Sequence, residues 1–206
     1  MKTVSTLLAA AIFVGLAGCS TPLVEDIKIE SSLYITAFQQ YMLDEINFAR
    51  VNPDEYAESR LKEDNDNSLD NGGYLFLKKM TPVGSVTFNN SLNLSASDYA
   101  LFLAENNRAE HNADETPIKR AIRAGFKGTL TGENIAFASP SCYNAILNPR
   151  SAAIGFVRII IIDEGVADVG HRLILLNSKY KTVGIGFTQN SAVPMLNYVV
   201  QDFGNL

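Results

Sequence analysis

His111 and His171 are the whole histidine inventory of this chain of 206 residues. Each stands among polar neighbours, in Glu110-His111-Asn112 and Gly170-His171-Arg172. Between them come Gly132-Glu133-Asn134 and Asp163-Glu164-Gly165. Two imidazoles with two or three carboxylates can hold a divalent cation or work as an acid–base pair, because both side-chain types bind metals and exchange protons. Zinc favours the imidazoles, whereas a hydrated, carboxylate-rich site suits calcium or magnesium; the residues leave the three open. No HExxH-type spacing puts these groups on one helix face, so any shared site must be assembled by the fold. On spacing alone, a histidine is more often a surface or capped core residue.

Nucleophilic chemistry has less support. There is no G-x-S-x-G turn, and the only cysteines are Cys19 and Cys142. Cys142 has no histidine beside it in sequence and reads as a buried or loop thiol without assigned chemistry. Cys19 belongs to an export signal, in which Met1-Lys2 is the positive end, Leu7 to Leu16 the apolar stretch and Ala17-Gly18 the small residues before cleavage. Leu16-Ala17-Gly18-Cys19 resembles the lipobox of bacterial lipoproteins, whose cysteine is acylated, by palmitate or a similar chain, and becomes the mature N-terminus. Residues 1–18 are then a signal peptide, 19–32 a lipidated tether and 33–206 the folded domain. Several acyl chains, at about 0.8 kcal/mol per buried methylene, hold such a protein on a membrane permanently. Ser20 after the cysteine implies, by the same resemblance, the outer membrane if the cell is Gram-negative. With Cys19 acylated, no internal disulfide is expected in the mature domain.

The remaining composition is that of one globular domain, since 47% of the residues are apolar and 19% charged. A net charge of −5, with no run of Lys and Arg, argues against a nucleic-acid partner or binding to an anionic surface. The sequence says nothing about oligomeric state.

The elements that must position the histidines follow from periodicity. Leu33, Phe38, Tyr41, Met42, Ile46 and Ala49 recur at helical spacing up to Val51, and Pro53 opens a second short helix through Leu61. Glu63 to Gly73 reads as an acidic, solvated loop without the EF-hand pattern of a calcium site. Ser91 to Asn107 and Pro117 to Ala124 are predicted helices, the latter closed by Gly125. Asn134 to Ala138 is a predicted strand. Pro149 to Ile162 is apolar nearly all round except Arg158, which predicts a buried helix too short to span a bilayer. Thr182 to Thr188 and Leu196 to Phe203 predict an antiparallel pair. Helices first and strands late make the class α+β, with helices on both faces of a small, mainly antiparallel sheet.

Taken in order, these blocks resemble the CAP superfamily, also called the SCP domain, of cysteine-rich secretory proteins, antigen 5 and pathogenesis-related proteins. The opening helix carries Asn47-Phe48-Ala49-Arg50 before Asn52-Pro53. His111 follows, with Thr116-Pro117, Arg120-Ala121 and Gly125-Phe126, then Gly132-Glu133-Asn134-Ile135-Ala136. Gly170-His171-Arg172 precedes Leu175-Leu176-Asn177, and the blocks 183–187 and 198–203 look like the closing strands. The resemblance implies an α-β-α sandwich whose cleft is lined by two histidines and two acids that sometimes hold a divalent cation. Carried over, His111, Glu133 and His171 take three of the four positions. The fourth acid departs from the animal and plant pattern, where it follows a tryptophan; this chain has no tryptophan. Asp163 is the favoured fourth ligand and Glu164 the alternate, with Asn134 and Arg172 in support. Asn134 would tie its loop to the backbone, Arg172 would pair with a carboxylate or phosphate-like group, and Gly132, Gly165 and Gly170 would supply positive φ.

Two function classes remain open. One is an envelope-bound module that binds a metal, a lipid or an envelope component. The other is a metal-dependent hydrolase of peptide or another envelope polymer, with Glu133 as candidate general base. A purely structural histidine cluster is the bland alternative, since fold alone never fixes function.

Overall fold

Phe38, Met42, Ile46 and Ala49 are fully buried along one stripe of helix α1 (Ser31–Val51). That stripe is the inner face of a layer against which the rest of the chain assembles. The computed structural model describes residues 12–13, 31–67, 72–129, 131–190 and 196–206. Cys19 lies outside them, as do the leader apart from Ile12 and Phe13 and the tether apart from Ser31 and Ser32.

After α1 the chain turns at Pro53 into α2 (Pro53–Tyr56), one π-helical turn (Ala57–Leu61) and α3 (Lys62–Asp66). Helices α4 (Gly73–Lys79), α5 (Asn90–Asn106), α6 (Pro117–Arg123), α7 (Pro149–Ile162) and α8 (Gly170–Leu175) follow. The strands are β1 (Ile12–Phe13), β2 (Thr87–Phe88), β3 (Thr131–Ala138), β4 (Thr182–Asn190) and β5 (Leu196–Gly204). Among the described residues they form a sheet in the order β1-β3-β5-β4-β2. Its three long strands pair antiparallel, with parallel two-residue strands at each edge.

Alternation along the strands makes two cores. Val183, Ile185, Phe187, Ala136, Val199 and Phe203 pack with α1 and α7, while Ile135, Phe137, Tyr198 and Val200 pack with α5. The result is the expected α-β-α sandwich. On β4 the two central residues facing α5 are Gly184 and Gly186. A Cβ built on Gly184 or Gly186 would stand 2.0 Å from the backbone of Leu92 or Ala96, so α5 lies with its main chain directly on the strand. Only a residue without a side chain permits that approach.

Helix α7 is buried as its sequence predicts, with Phe156, Val157, Ile160 and Ile161 fully enclosed. Among the described residues no helix is long and apolar enough to cross a membrane. The second of the two arginines of α7, Arg158, makes two hydrogen bonds of 2.7 and 2.6 Å with Asp64. That pairing corrects the expectation of a solvated loop from Glu63. Residues 63–66 belong to α3, and Asp64 is buried because a cation from the opposite helix neutralises it. The end of that stretch, residues 68–71, lies outside the described residues, and α4 is an element that the sequence reading did not anticipate. Cys142 is disulfide-bonded, which corrects the expectation of a thiol. Its bonding partner lies outside the described residues.

The opening-helix residues Asn47 and Arg50 have a mechanical role. Asn47 pairs with Val86 as a strand would, donating to its carbonyl at 2.9 Å and accepting its N–H at 2.8 Å. Arg50, fully buried, donates to the carbonyls of Gly84, Leu175, Asn177 and Tyr180. One guanidinium thereby fixes the loop before β2 and the exit of α8, the helix that carries His171.

Candidate functional site

Two histidine–carboxylate pairs, one from each helical layer, meet beside β3. The first lies on the α5 side. Glu133 faces α5 from β3, and its Oε1 lies 2.7 Å from His111 Nδ1, in the turn between α5 and α6. Its other oxygen accepts from Arg120 of α6, whose guanidinium lies over the Tyr99 ring at 3.3 Å and also donates to the His111 carbonyl. The side chain of Glu133 is 2% exposed and that of His111 14%, so the ring marks where the pair reaches the surface.

The second pair comes from the opposite side. Asp163 closes α7 in the left-handed conformation, φ 56°, a geometry that aspartate tolerates better than most residues. Its Oδ1 lies 2.7 Å from His171 Nδ1, and its Oδ2 accepts the N–H groups of His171 and Arg172. Glu164, by contrast, is exposed. The structure therefore brings Asp163, and not its neighbour, to the histidines. The negative end of α7 is an unfavourable place for a carboxylate. Arg172 offsets this by donating to the carbonyls of Ile161 and Ile162. These carbonyl bonds cap the helix.

Asn134, on the other face of β3 from Glu133, donates to the His171 carbonyl and to Gln201, both at 3.2 Å. It therefore ties β3 to α8 across the sheet, where a local loop bond was expected. Of the three glycines read as conformational, only Gly165 has positive φ. Gly132 is instead crowded, since a Cβ there would lie 2.5 Å from the Tyr180 hydroxyl. The strained residue of this region is Val169, held at φ 46° just before Gly170 and His171. A β-branched side chain in that region is a true outlier.

The two imidazole centroids are 6.2 Å apart, with planes tilted by 30°. Each ring gives Nδ1 to a carboxylate, which leaves each Nε2 as the chemically available atom. Burial, His171 and Arg120 together push the His111 pKa down to about 4, so this ring is neutral at physiological pH. A neutral ring whose Nδ1–H is donated to a carboxylate presents a lone pair at Nε2. It can accept a proton, accept a hydrogen bond or ligate a cation.

Whether these residues fit a divalent cation depends on their donor chemistry. Among the described residues no group of three or more His, Cys, Asp and Glu side chains is arranged to hold an ion. Glu133 and Asp163 each spend an oxygen on an imidazole Nδ1, so they stand behind the histidines. That is the position of the carboxylates that orient metal-binding imidazoles. The fit is thus one through two nitrogens, His111 Nε2 and His171 Nε2, with the remaining positions left to water or ligand. Glu133, the candidate general base, is committed to His111 and Arg120, which leaves His111 Nε2 as the atom placed to take a proton. An open groove of about 360 Å³, lined by Glu58, Ser59, Arg60, Lys62, Glu63 and Asp66, includes neither histidine.

The sequence reading missed the roles of Arg120, Ser95 and Asp202. Asp202 did carry a signal, a carboxylate inside the apolar run of β5, and such a residue stays buried only with partners. Its carboxylate accepts from Ser95 Oγ of α5 at 2.7 Å.

Comparison with known proteins places this assembly. The sequence returned no match among curated proteins. Among solved structures, the chain is similar to an extracellular protein containing an SCP domain from Bacillus anthracis str. Ames, at 18% identity and a TM-score of 0.47. That match covers 71% of this chain and 44% of the other. It is also similar to an outer surface protein from Borrelia burgdorferi, at 19% identity and a TM-score of 0.46. There 70% of this chain and 93% of the other are covered. The family model for CAP, the cysteine-rich secretory protein family, matches residues 43–203. That span holds both histidines, both of their carboxylates and every long strand, and the chain belongs to the cysteine-rich secretory protein (CAP) family.

Proposed function

We propose that this chain is an exported, lipid-anchored protein of the cell envelope whose CAP domain binds a ligand between His111 and His171. The observation that carries the binding reading is the convergence of two imidazoles, each oriented by a buried carboxylate. Such support costs stability at ordinary core positions, because charges are desolvated to provide it. It is useful where Nε2 must be held in one place. The ligand is one that meets two ring nitrogens: a divalent cation such as zinc, calcium or magnesium, or an envelope component presenting N–H or O–H groups. A lipid would be held there through its polar headgroup. The export reading rests on the leader and the lipobox-like Leu16-Ala17-Gly18-Cys19. The net charge of −5 keeps nucleic acid out of the partner list.

A metal-dependent hydrolase acting on peptide or another envelope polymer is the second reading, favoured by the carboxylates behind both imidazoles. His111 and His171 would hold the cation, and when bound it would polarise the bond to be cleaved.

Calorimetric titration of the protein with zinc, calcium and magnesium tests both readings, wild type against the His111→Ala/His171→Ala double variant. Saturable binding lost in the double variant identifies the cation as ligand and justifies a search for hydrolytic substrates. No binding of any of the three by folded wild type ends the hydrolase reading. Imidazole chemical shifts then serve to screen envelope fragments, and no response to any fragment would end the binding reading.

A further inference from the structure

Glu133 and Asn134 are consecutive on β3, so their side chains leave opposite faces of the sheet. Glu133 reaches His111 on the α5 side, and Asn134 reaches the His171 carbonyl on the α8 side. The two rings nevertheless come within 6.2 Å of each other. Paired backbone fills a sheet between its strands, so groups from opposite faces meet only around an edge. One side of β3 is taken by β5 along its whole length. The histidine pair therefore straddles the other edge of β3.

That edge accepts a strand. β1 pairs with it in parallel, Ile12 opposite Ala136 and Phe13 opposite Phe137. The sequence of β3, Thr-Gly-Glu-Asn-Ile-Ala-Phe-Ala, has neither the lysine nor the proline that commonly guards a free edge, and its glutamate is turned inward to Arg120. Backbone groups pointing away from β5 must find a partner. Ala136 and Ala138 belong to the core beneath α1 and α7, Ile135 and Phe137 to the core beneath α5. An added strand thus meets apolar surface on both faces. Ile12 and Phe13 lie in the leader, which is expected to be removed before Cys19. Processing then clears the edge and leaves the same backbone groups to an incoming chain.

We propose that the β3 edge and the histidine pair form one binding track for an extended apolar peptide, which adds parallel to β3 at Ala136–Phe137 and carries its N-terminal end to His111 and His171. Main-chain hydrogen bonds supply the affinity of such strand addition, and the apolar layers on both faces choose the segment. In the register of β1, the peptide residue three places before the one opposite Ala136 lies level with Glu133, about 10 Å along the strand. There the peptide backbone comes beside the two rings, and an N–H can donate to the lone pair of His111 Nε2. The leader is the first occupant of the track, and a segment of another polypeptide the second. This inference rests on the binding reading of the same site and names its ligand class as polypeptide.

The experiment is amide hydrogen exchange on the full-length protein, followed by NMR. In wild type, β1 protects those amides of residues 135–138 that point away from β5. Ile12→Pro/Phe13→Pro removes both N–H donors of β1 and should speed that exchange by at least about tenfold, with β4 and β5 unchanged. The probe is a peptide of residues 9–16, with two lysines added at its C-terminal end for solubility. At about 1 mM it should restore the protection and shift the imidazole signals of at least one of the two histidines. Equal protection in wild type and variant overturns the proposal, as does a peptide that fails to restore protection or leaves both imidazoles unmoved. If the double variant does not fold, the processed protein without residues 1–18 takes its place. No metal is added, so failure here leaves the calorimetric test of His111 and His171 standing.

Discussion

His111 and His171 have ring centroids 6.2 Å apart, yet one hangs from the turn before α6 and the other from α8 on the far side of the sheet. Their carboxylate partners, Glu133 and Asp163, come from β3 and from the end of α7. No two of the four share a rigid element. The site is therefore only as well defined as the docking of two helical layers onto β3.

Glu133→Gln removes the charge that neutralises Arg120 within the protein interior. A buried guanidinium left without its carboxylate costs about 3–5 kcal/mol. Chemical denaturation should show a loss of this order. A loss under about 1 kcal/mol would mean that Asp114, the other carboxylate in contact with Arg120 at 3.0 Å, carries the pairing alone.

Gly186→Ala is expected to be among the most damaging single-methyl changes in the chain. Its Cβ would stand 2.0 Å from the Ala96 carbonyl oxygen of α5, and main chain cannot swing aside as a side chain can. Loss of at least about 3 kcal/mol, or failure to fold, is the expected result, as for other strongly overpacked sites. Gly165→Ala meets nothing within 4 Å but sits at φ 76°, so its cost is backbone strain of about 1 kcal/mol. Thermal melts of the two variants should rank in that order.

Acid should act through His111. Its pKa is about 4 in the folded protein against an ordinary 6.5. Between those values the unfolded chain takes up a proton that the native ring refuses. Stability from this group therefore falls as pH drops from about 6.5 to about 4, by up to about 3 kcal/mol at 1.36 kcal/mol per unit. Glu133, raised from 4.5 to about 7, has the opposite sign in the overlapping window, because the native state there holds the extra proton. His111→Gln removes only the first contribution, so the variant should gain on wild type as pH falls from 7 to 4. A wild-type-minus-variant difference independent of pH, from denaturation at several pH values, would contradict the lowered pKa.

Val169→Gly should stabilise the fold. Valine in the left-handed region costs about 1 kcal/mol or more that glycine does not incur, against the added freedom of the unfolded glycine chain. A rise in Tm of a few degrees is expected for a domain of this size. If the Tm falls, the valine side chain contributes packing that outweighs its strain.

The sulfur chemistry can be read by mass. Cys19 and Cys142 are the only cysteines, so acylation of Cys19 and the bond at Cys142 compete for two sulfurs. If Cys19 is acylated in the mature protein, as proposed, the disulfide at Cys142 belongs to the unprocessed chain, and protein extracted from envelopes should carry acyl chains at Cys19 and one titratable thiol. An unacylated chain without a free thiol would overturn the lipid anchor and leave the disulfide as the mature state.

The sequence by itself determined the class and most of the elements. Apolar period 3.6 in α1, α5 and α7 and the β-rich runs of β4 and β5 reflect which face is buried, and burial is written residue by residue. Through the order of blocks that resemble the CAP family, and not through spacing, it also named His111, Glu133, His171 and Asp163, with Glu164 as the alternate acid. Only the tertiary structure decided between Asp163 and Glu164, since both are acids and the choice depends on a left-handed turn that aims one carboxylate inward. Likewise, α4 and α3 owe their places to long-range contacts such as Asp64 with Arg158, not to local periodicity. Asp202 shows the same limit most clearly. Its identity is visible in β5, but its neighbour Glu133 is set by strand register, and register is a property of the assembled sheet.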